Sequence, residues 1–96
     1  MHARITQFRM KPESVAAATA KLEEMKPRIA ALPGMQHFIH VANDDGNGYV
    51  ISLIDDDFVA NPPTEKIQAI WSEFSEHLAA PPEAPMTYRV LANFKN

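Results

Sequence analysis

The chain has no cysteine. That removes a disulfide framework, thiolate metal sites and cysteine nucleophiles, and it fits a reducing compartment, so a cytoplasmic setting is expected. Glycine is scarce as well, with 3 in 96 residues. None belongs to a glycine-rich phosphate loop, and neither HExxH nor GxSxG occurs. No apolar run approaches the ~20 residues that span a bilayer. The opening stretch MHARITQFRM lacks the apolar core of a secretory leader, so no membrane partner is expected. Basic residues are scattered and the formal net charge is −3. The basic patch that nucleic acid or an anionic membrane requires is therefore missing.

What is present is an apolar share of 46% in 96 residues, enough for a single domain over residues 1–96 and too little for two cores. His2 to Met10 reads as a strand rich in Ile, Thr and Phe. Pro12 suits a first helical turn and Glu13 its positive end. Val15, Ala18, Leu22, Met25, Ile29 and Leu32 follow at steps of three and four, which predicts an amphipathic helix. Pro27 lies inside it and predicts a kink or break. Met35 to Ala42 and Tyr49 to Asp55 read as strands joined through NDDGNG, hence an antiparallel hairpin. DDDFVANPP reads as a polar exit and a break. Thr64 is expected to cap a second helix running to about Ala80, and Met86 to Phe94 to form the last strand. The order β-α-β-β-α-β is α+β and ferredoxin-like, a four-stranded antiparallel sheet with two helices on one face.

That sheet reads as apolar on both faces. Tyr49, Ile51 and Leu53 oppose Val50 and Ile54; Met35, Ile39 and Val41 oppose Phe38 and Ala42; Tyr88, Val90 and Phe94 oppose Leu91. Two helices shield one face only. Each large apolar side chain left bare forgoes roughly 1.5–3 kcal/mol of burial, and a contiguous patch of them marks an interaction surface. A second copy packed sheet against sheet is the simplest cover, giving a homodimer. The alternative is a monomer whose C-terminal tail folds over the sheet.

The segments ARITQFRMKPE, LPGMQHF, YVISLIDDD and IQAIWSEF together resemble the antibiotic-biosynthesis-monooxygenase-like (ABM) domain of the dimeric α/β-barrel superfamily, over essentially the whole chain. The resemblance implies a homodimer and a pocket between sheet and helices. Some members oxidise aromatic polyketide-like or quinol substrates with dioxygen and no metal or flavin; others degrade haem, and many have no known activity. Cofactor-independent members carry a proton-handling side chain six positions after the helical Trp, where this chain has His77. They tend to carry an Asn four positions before it, where this chain has Ile67. Haem-degrading members have an Asn in the first strand, where Gln7 stands, and a ligand His farther along the helix.

Each candidate residue has two readings. Trp71 is either a core anchor or the wall of a pocket for a flat aromatic ligand. His77 either moves a proton or sits at a helix end that favours positive charge. Continued helical geometry puts Trp71 and His77 on opposite borders of the apolar stripe, about 120° apart. Arg89 either holds an enolate or phenolate or forms a rim ion pair. Arg4, Gln7, Tyr49 and Tyr88 are strand residues able to meet a ligand's oxygen. His37 and His40, three apart on a strand, face opposite ways and cannot chelate one metal as a pair. Asp44-Asp45 and Asp55 to Asp57 lack calcium-loop spacing. The expectation is a cofactor-independent monooxygenase-like protein, without metal, acting on a flat aromatic or quinone-type molecule. The alternatives are a non-catalytic homodimeric binding or structural module and, third, haem binding or degradation.

Overall fold

Period-two and helical stretches alternate along the chain, and the computed structural model, which describes residues 1–95, folds them accordingly. Strand β1 (His2–Arg9) leads through a 3-10 turn (Pro12–Ser14) into α1 (Val15–Ala30). The hairpin β2 (Met35–Ala42) and β3 (Asn47–Ile54) follows, then α2 (Asp56–Ala60), α3 (Thr64–Glu73), a 3-10 turn (Ser75–His77) and β4 (Met86–Arg89). The sheet order is β2-β3-β1-β4, with all neighbours antiparallel. This is the ferredoxin-like α+β arrangement.

Alternation on the central strands decides which side chains meet the helices. Thr6, Phe8, Ser52 and Ile54 are buried. Phe8 packs with Met10, with Ala18, Met25 and Ile29 of α1, and with Phe74 just beyond α3. The other face carries a row in which Ile39, Ile51, Ile5 and Met86 stand opposite one another in register. Ile39, Val41, Tyr49, Met86 and Tyr88 are exposed there, so the sheet is apolar on both faces.

Several boundaries differ from the sequence reading. Helix α1 runs through Pro27 without a break. Glu23, whose carbonyl loses the bond that a proline cannot donate, is exposed and can turn to water. Asp55 to Asp57 open the extra helix α2, because the Asp55 carboxylate accepts a hydrogen bond from the Phe58 amide at 2.9 Å and the acidic first turn complements the helix dipole. Thr64 does not cap α3; its hydroxyl donates to the Pro62 carbonyl at 3.3 Å.

Helix α3 stops at Glu73 rather than near Ala80 because the following backbone is claimed by β1. Lys11 N–H donates to His77 O at 2.8 Å, Ala79 N–H to Arg9 O at 2.9 Å and Glu83 N–H to Gln7 O at 2.9 Å. Strand β4 ends at Arg89 rather than Phe94 for a related reason. Arg89 pairs with His2, and Val90 N–H to Met1 O is the last backbone bond to this edge. Leu91 is 83% and Phe94 94% exposed, so the C-terminal segment does not cover the outer face of the sheet. An Arg28–Glu73 ion pair at 2.6 Å ties the last turn of α1 to the end of α3.

The hairpin turn depends on Gly46, which has φ +90° and would drive a Cβ into the Met10 carbonyl. Its own carbonyl accepts from Met10 N–H at 2.8 Å, joining the turn to the end of β1. Gly46→Ala should cost about 1–3 kcal/mol, read as a lower urea midpoint at unchanged slope. An unaltered midpoint would contradict this account of the turn.

Candidate functional site

Between the inner face of the sheet and the helices lies a cavity of about 80 Å³. Its sheet side is built by inward-pointing residues: Arg4, Thr6 and Phe8 of β1, Val50 and Ser52 of β3, Phe38 and His40 of β2. Its helix side includes Ile67, Ile70 and Trp71 of α3 and Phe74 just beyond it, at i, i+3, i+4 and i+7, together with Leu22 and Ile29 of α1 and Phe58 of α2. Gly48 stands opposite Phe8 in the ladder. A Cβ there would run into the Phe8 ring and the Val41 carbonyl, so the glycine leaves room for the ring. Phe8 in turn links the aromatic groups. Its centroid is 6.2 Å from Trp71 and 5.0 Å from His40, both tilted.

Four elements bring polar groups to this mostly apolar space. Thr6 and Ser52 are buried, yet neither hydroxyl takes part in a side-chain hydrogen bond among the described residues. Both line the cavity, and neither oxygen is a fully buried atom without a partner, a state that among the described residues only His2 Nδ1 shows. Burial pushes the His40 imidazole below its ordinary pKa of 6.5, which keeps it neutral at pH 7. Burial also pushes the Arg4 guanidinium down from its ordinary value. His77, in the 3-10 turn after α3, has a side chain 15% exposed with Nε2 3.6 Å from Glu76 Oε1. A neighbouring depression of about 750 Å³ runs between α1 and β2 and shares Leu22, Met35, Phe38 and His40 with the cavity.

Among the residues singled out from sequence, Trp71 and His77 line the same cavity. The wheel that separated them assumes a helix that has already ended at Glu73. No ring pair joins them among the described residues, where Phe8 is the shared partner of Trp71 and His40. Gln7 stands opposite Tyr49 and Tyr88 opposite Ala3. All three are exposed and lie on the outer face with Ile5 and Ile51. Arg89 is exposed on edge strand β4, opposite His2. None of these four lines the cavity. His37 is exposed while His40 faces inward. Sequence reasoning named Arg4 but passed over Thr6 and Ser52 and gave His40 no role. The signal was parity: counting by twos from Phe8 puts Thr6 and Arg4 inside and Gln7 outside. Among the described residues no group of three or more His, Asp or Glu side chains is placed to hold a metal ion, and no helix is long and apolar enough to cross a membrane.

No protein-family profile matches the chain, and no curated protein matches its sequence. Solved structures match its fold. Rv0793 from Mycobacterium tuberculosis aligns with TM-score 0.69 and 18% identity over 98% of both chains. A protein described as an antibiotic biosynthesis monooxygenase aligns with TM-score 0.70 and 16% identity, over 96% of this chain and 100% of its own. MhuD, in a mutant form with two manganese protoporphyrin IX molecules per active site, aligns with TM-score 0.65 and 9% identity over the whole of both chains. The chain shares its fold with solved structures described as antibiotic biosynthesis monooxygenases or putative ones, the fold that the sequence resemblance implies.

The lowered His40 pKa has a consequence for stability. Between the folded value and the ordinary 6.5, the unfolded chain binds more protons than the native state, so stability rises with pH. The contribution is complete above 6.5 and is lost as the pH falls from there through the folded value. Urea midpoints at pH 7.5 and 5.5 should therefore differ less in His40→Gln than in the parent. An identical pH dependence in both proteins would contradict the buried, neutral imidazole.

Proposed function

We propose that this protein binds a flat aromatic or quinone-type molecule between Trp71 and the sheet and oxidises it with dioxygen, without a cofactor. The observation that carries the reading is an apolar cavity at the sheet–helix junction into which a few polar groups converge, the usual composition of a small-molecule site. Trp71 and Phe8 supply the aromatic walls. His77, or the neutral His40, accepts the proton from an acidic ring carbon or phenol. The resulting carbanion passes electrons to dioxygen and forms a carbon–oxygen bond, giving a peroxide anion. Its distal oxygen takes the imidazolium's proton and the hydrogen of the remaining C–H bond as that bond and the O–O bond break, leaving C=O and water. The balance is CH₂ + O₂ → C=O + H₂O, with dioxygen as the sole oxidant and no external reductant.

The enclosed volume of about 80 Å³ is smaller than the ~150 Å³ of an engineered cavity that accepts benzene. A ring of that size or larger extends from the cavity into the adjoining groove along α1. The small enclosed space is also what favours the second reading, a binding or structural module without catalysis. Haem fits less well. Gln7, the first-strand candidate, stands on the outer face opposite Tyr49.

We also propose that the functional unit is a homodimer formed through the outer face. Ile5, Ile39, Ile51, Met86 and Tyr88 make a continuous apolar surface there, and Gln7 and Tyr49 belong to the same face rather than to the cavity. Burial of such a patch against a second copy offsets the cost of association.

Two measurements test these readings. Sedimentation at micromolar concentration should give a species of twice 10.7 kDa; a lone 10.7 kDa species would rule the dimer out. Dioxygen uptake with a panel of hydroquinones should fall by a factor of about 10²–10⁴ when Trp71 and His77 are both replaced by Ala. Activity undiminished in that double variant would sink the oxygenase assignment.

A further inference from the structure

Arg4 is a half-buried cation without an anion. Among the described residues, the ion pairs are His2–Asp56, Arg28–Glu73 and His77–Glu76, and none includes Arg4. Its five N–H donors take part in none of the side-chain hydrogen bonds among those residues. Its one recorded partner is the Phe58 ring, whose centroid lies 5.8 Å from Cζ, a cation–π contact that leaves the donor edge unused. None of its nitrogens is a fully buried atom without a partner, so its donors are open to an anion that enters the cavity.

The surroundings are selective in sign. The protein as a whole has formal charge −3 with 12 acidic residues, yet no Asp or Glu lines the cavity and Arg4 is its only Arg or Lys. Ser52 stands directly opposite Arg4 across β1 and β3, where facing Cβ atoms are about 5 Å apart. Thr6 is two residues along β1 on the same face, ~7 Å away. Both residues are buried, and among the described residues neither hydroxyl is engaged in a side-chain hydrogen bond, so each is open to a group in the cavity. A cation and two hydroxyl donors thus share one patch of the sheet floor, and the wall formed by Phe8, Ile70, Trp71 and Phe74 is apolar.

We propose that Arg4, Ser52 and Thr6 form an anion subsite, so that the pocket takes aromatic molecules bearing one anionic oxygen group, a carboxylate or a phenolate. Arg4 supplies the charge-assisted hydrogen bonds and the two hydroxyls donate to the remaining lone pairs. The ring then lies against Phe8 and Trp71. This rests on the small-molecule pocket proposed above and narrows it to monoanionic ligands. It does not require the oxidation step.

Trp71 is the only tryptophan in the chain, so its fluorescence reports occupancy directly. The test titrates the full-length protein with 4-nitrobenzoate and with its neutral isostere, 4-nitrobenzamide. The acid should bind at least about tenfold more tightly than the amide, the scale expected of a charge-assisted pair. Arg4→Met should bring the two affinities together, the acid losing at least about tenfold more than the amide. Thr6→Val combined with Ser52→Ala, which keeps the cation, should reduce the preference without abolishing it. Equal binding of acid and amide to the parent protein would overturn the anion subsite and leave the pocket standing. Binding of neither would overturn the pocket, and the subsite with it. A preference for the acid that persists in Arg4→Met would place the anion elsewhere and refute the assignment.

Discussion

The pairing register of β1 with β3 is the constraint on which the rest depends. With Arg4 opposite Ser52 and Phe8 opposite Gly48, even-numbered residues of both strands face the helices and odd-numbered ones face away. A slip of one residue in β1 would exchange Thr6 and Phe8 for Ile5 and Gln7 and turn Arg4 away from the site. The register is held at several points. The Gly46 carbonyl takes the Met10 amide at one end of β1, and the backbone from His77 to Glu83 bonds along the other edge of the same strand. The glycine at 48 admits the ring of Phe8.

That same backbone route makes α3 short and turns His77 toward the cavity. A longer helix would have satisfied its own amides. Here the amides of Lys11, Ala79 and Glu83 are spent between β1 and the returning chain. Arg28 and Glu73 hold the two helix ends together where α3 stops. The result is a space walled by Trp71 of α3 and Phe8 of β1, with Arg4, Thr6 and Ser52 on its sheet floor. In so apolar a setting each hydrogen bond and charge counts for more than it would in water. A neutral His40 and an unpaired Arg4 therefore differ in what they can do: one accepts a proton, the other stabilises an anion.

The fold was legible because hydrophobic period and turn chemistry agree along most of the chain. The strand alternation, the stripe from Val15 to Ile29 and NDDGNG all point to one topology. Helix α2 was not legible because five residues carry no period, and its cap depends on Asp55 reading as a partner for Phe58 rather than as loop charge. The site was legible in part. Trp71 and His77 follow from the helical stripe and the resemblance, whereas Gln7, Tyr49 and Tyr88 were grouped with them on side-chain chemistry alone. Strand parity, anchored on Phe8, separates them onto the outer face.

The sequence by itself determined the order of elements, the two-faced apolar character of the sheet and the absence of thiol chemistry, since each follows from local composition and periodicity. Only the tertiary structure decided where β4 and α3 end, because their last residues depend on whether β1 still has free backbone groups to offer. It also decided which polar side chains share a cavity. Arg4 and Ser52 face each other from positions 48 apart in the sequence, with Thr6 beside them on β1, and no local pattern encodes a contact that register alone creates.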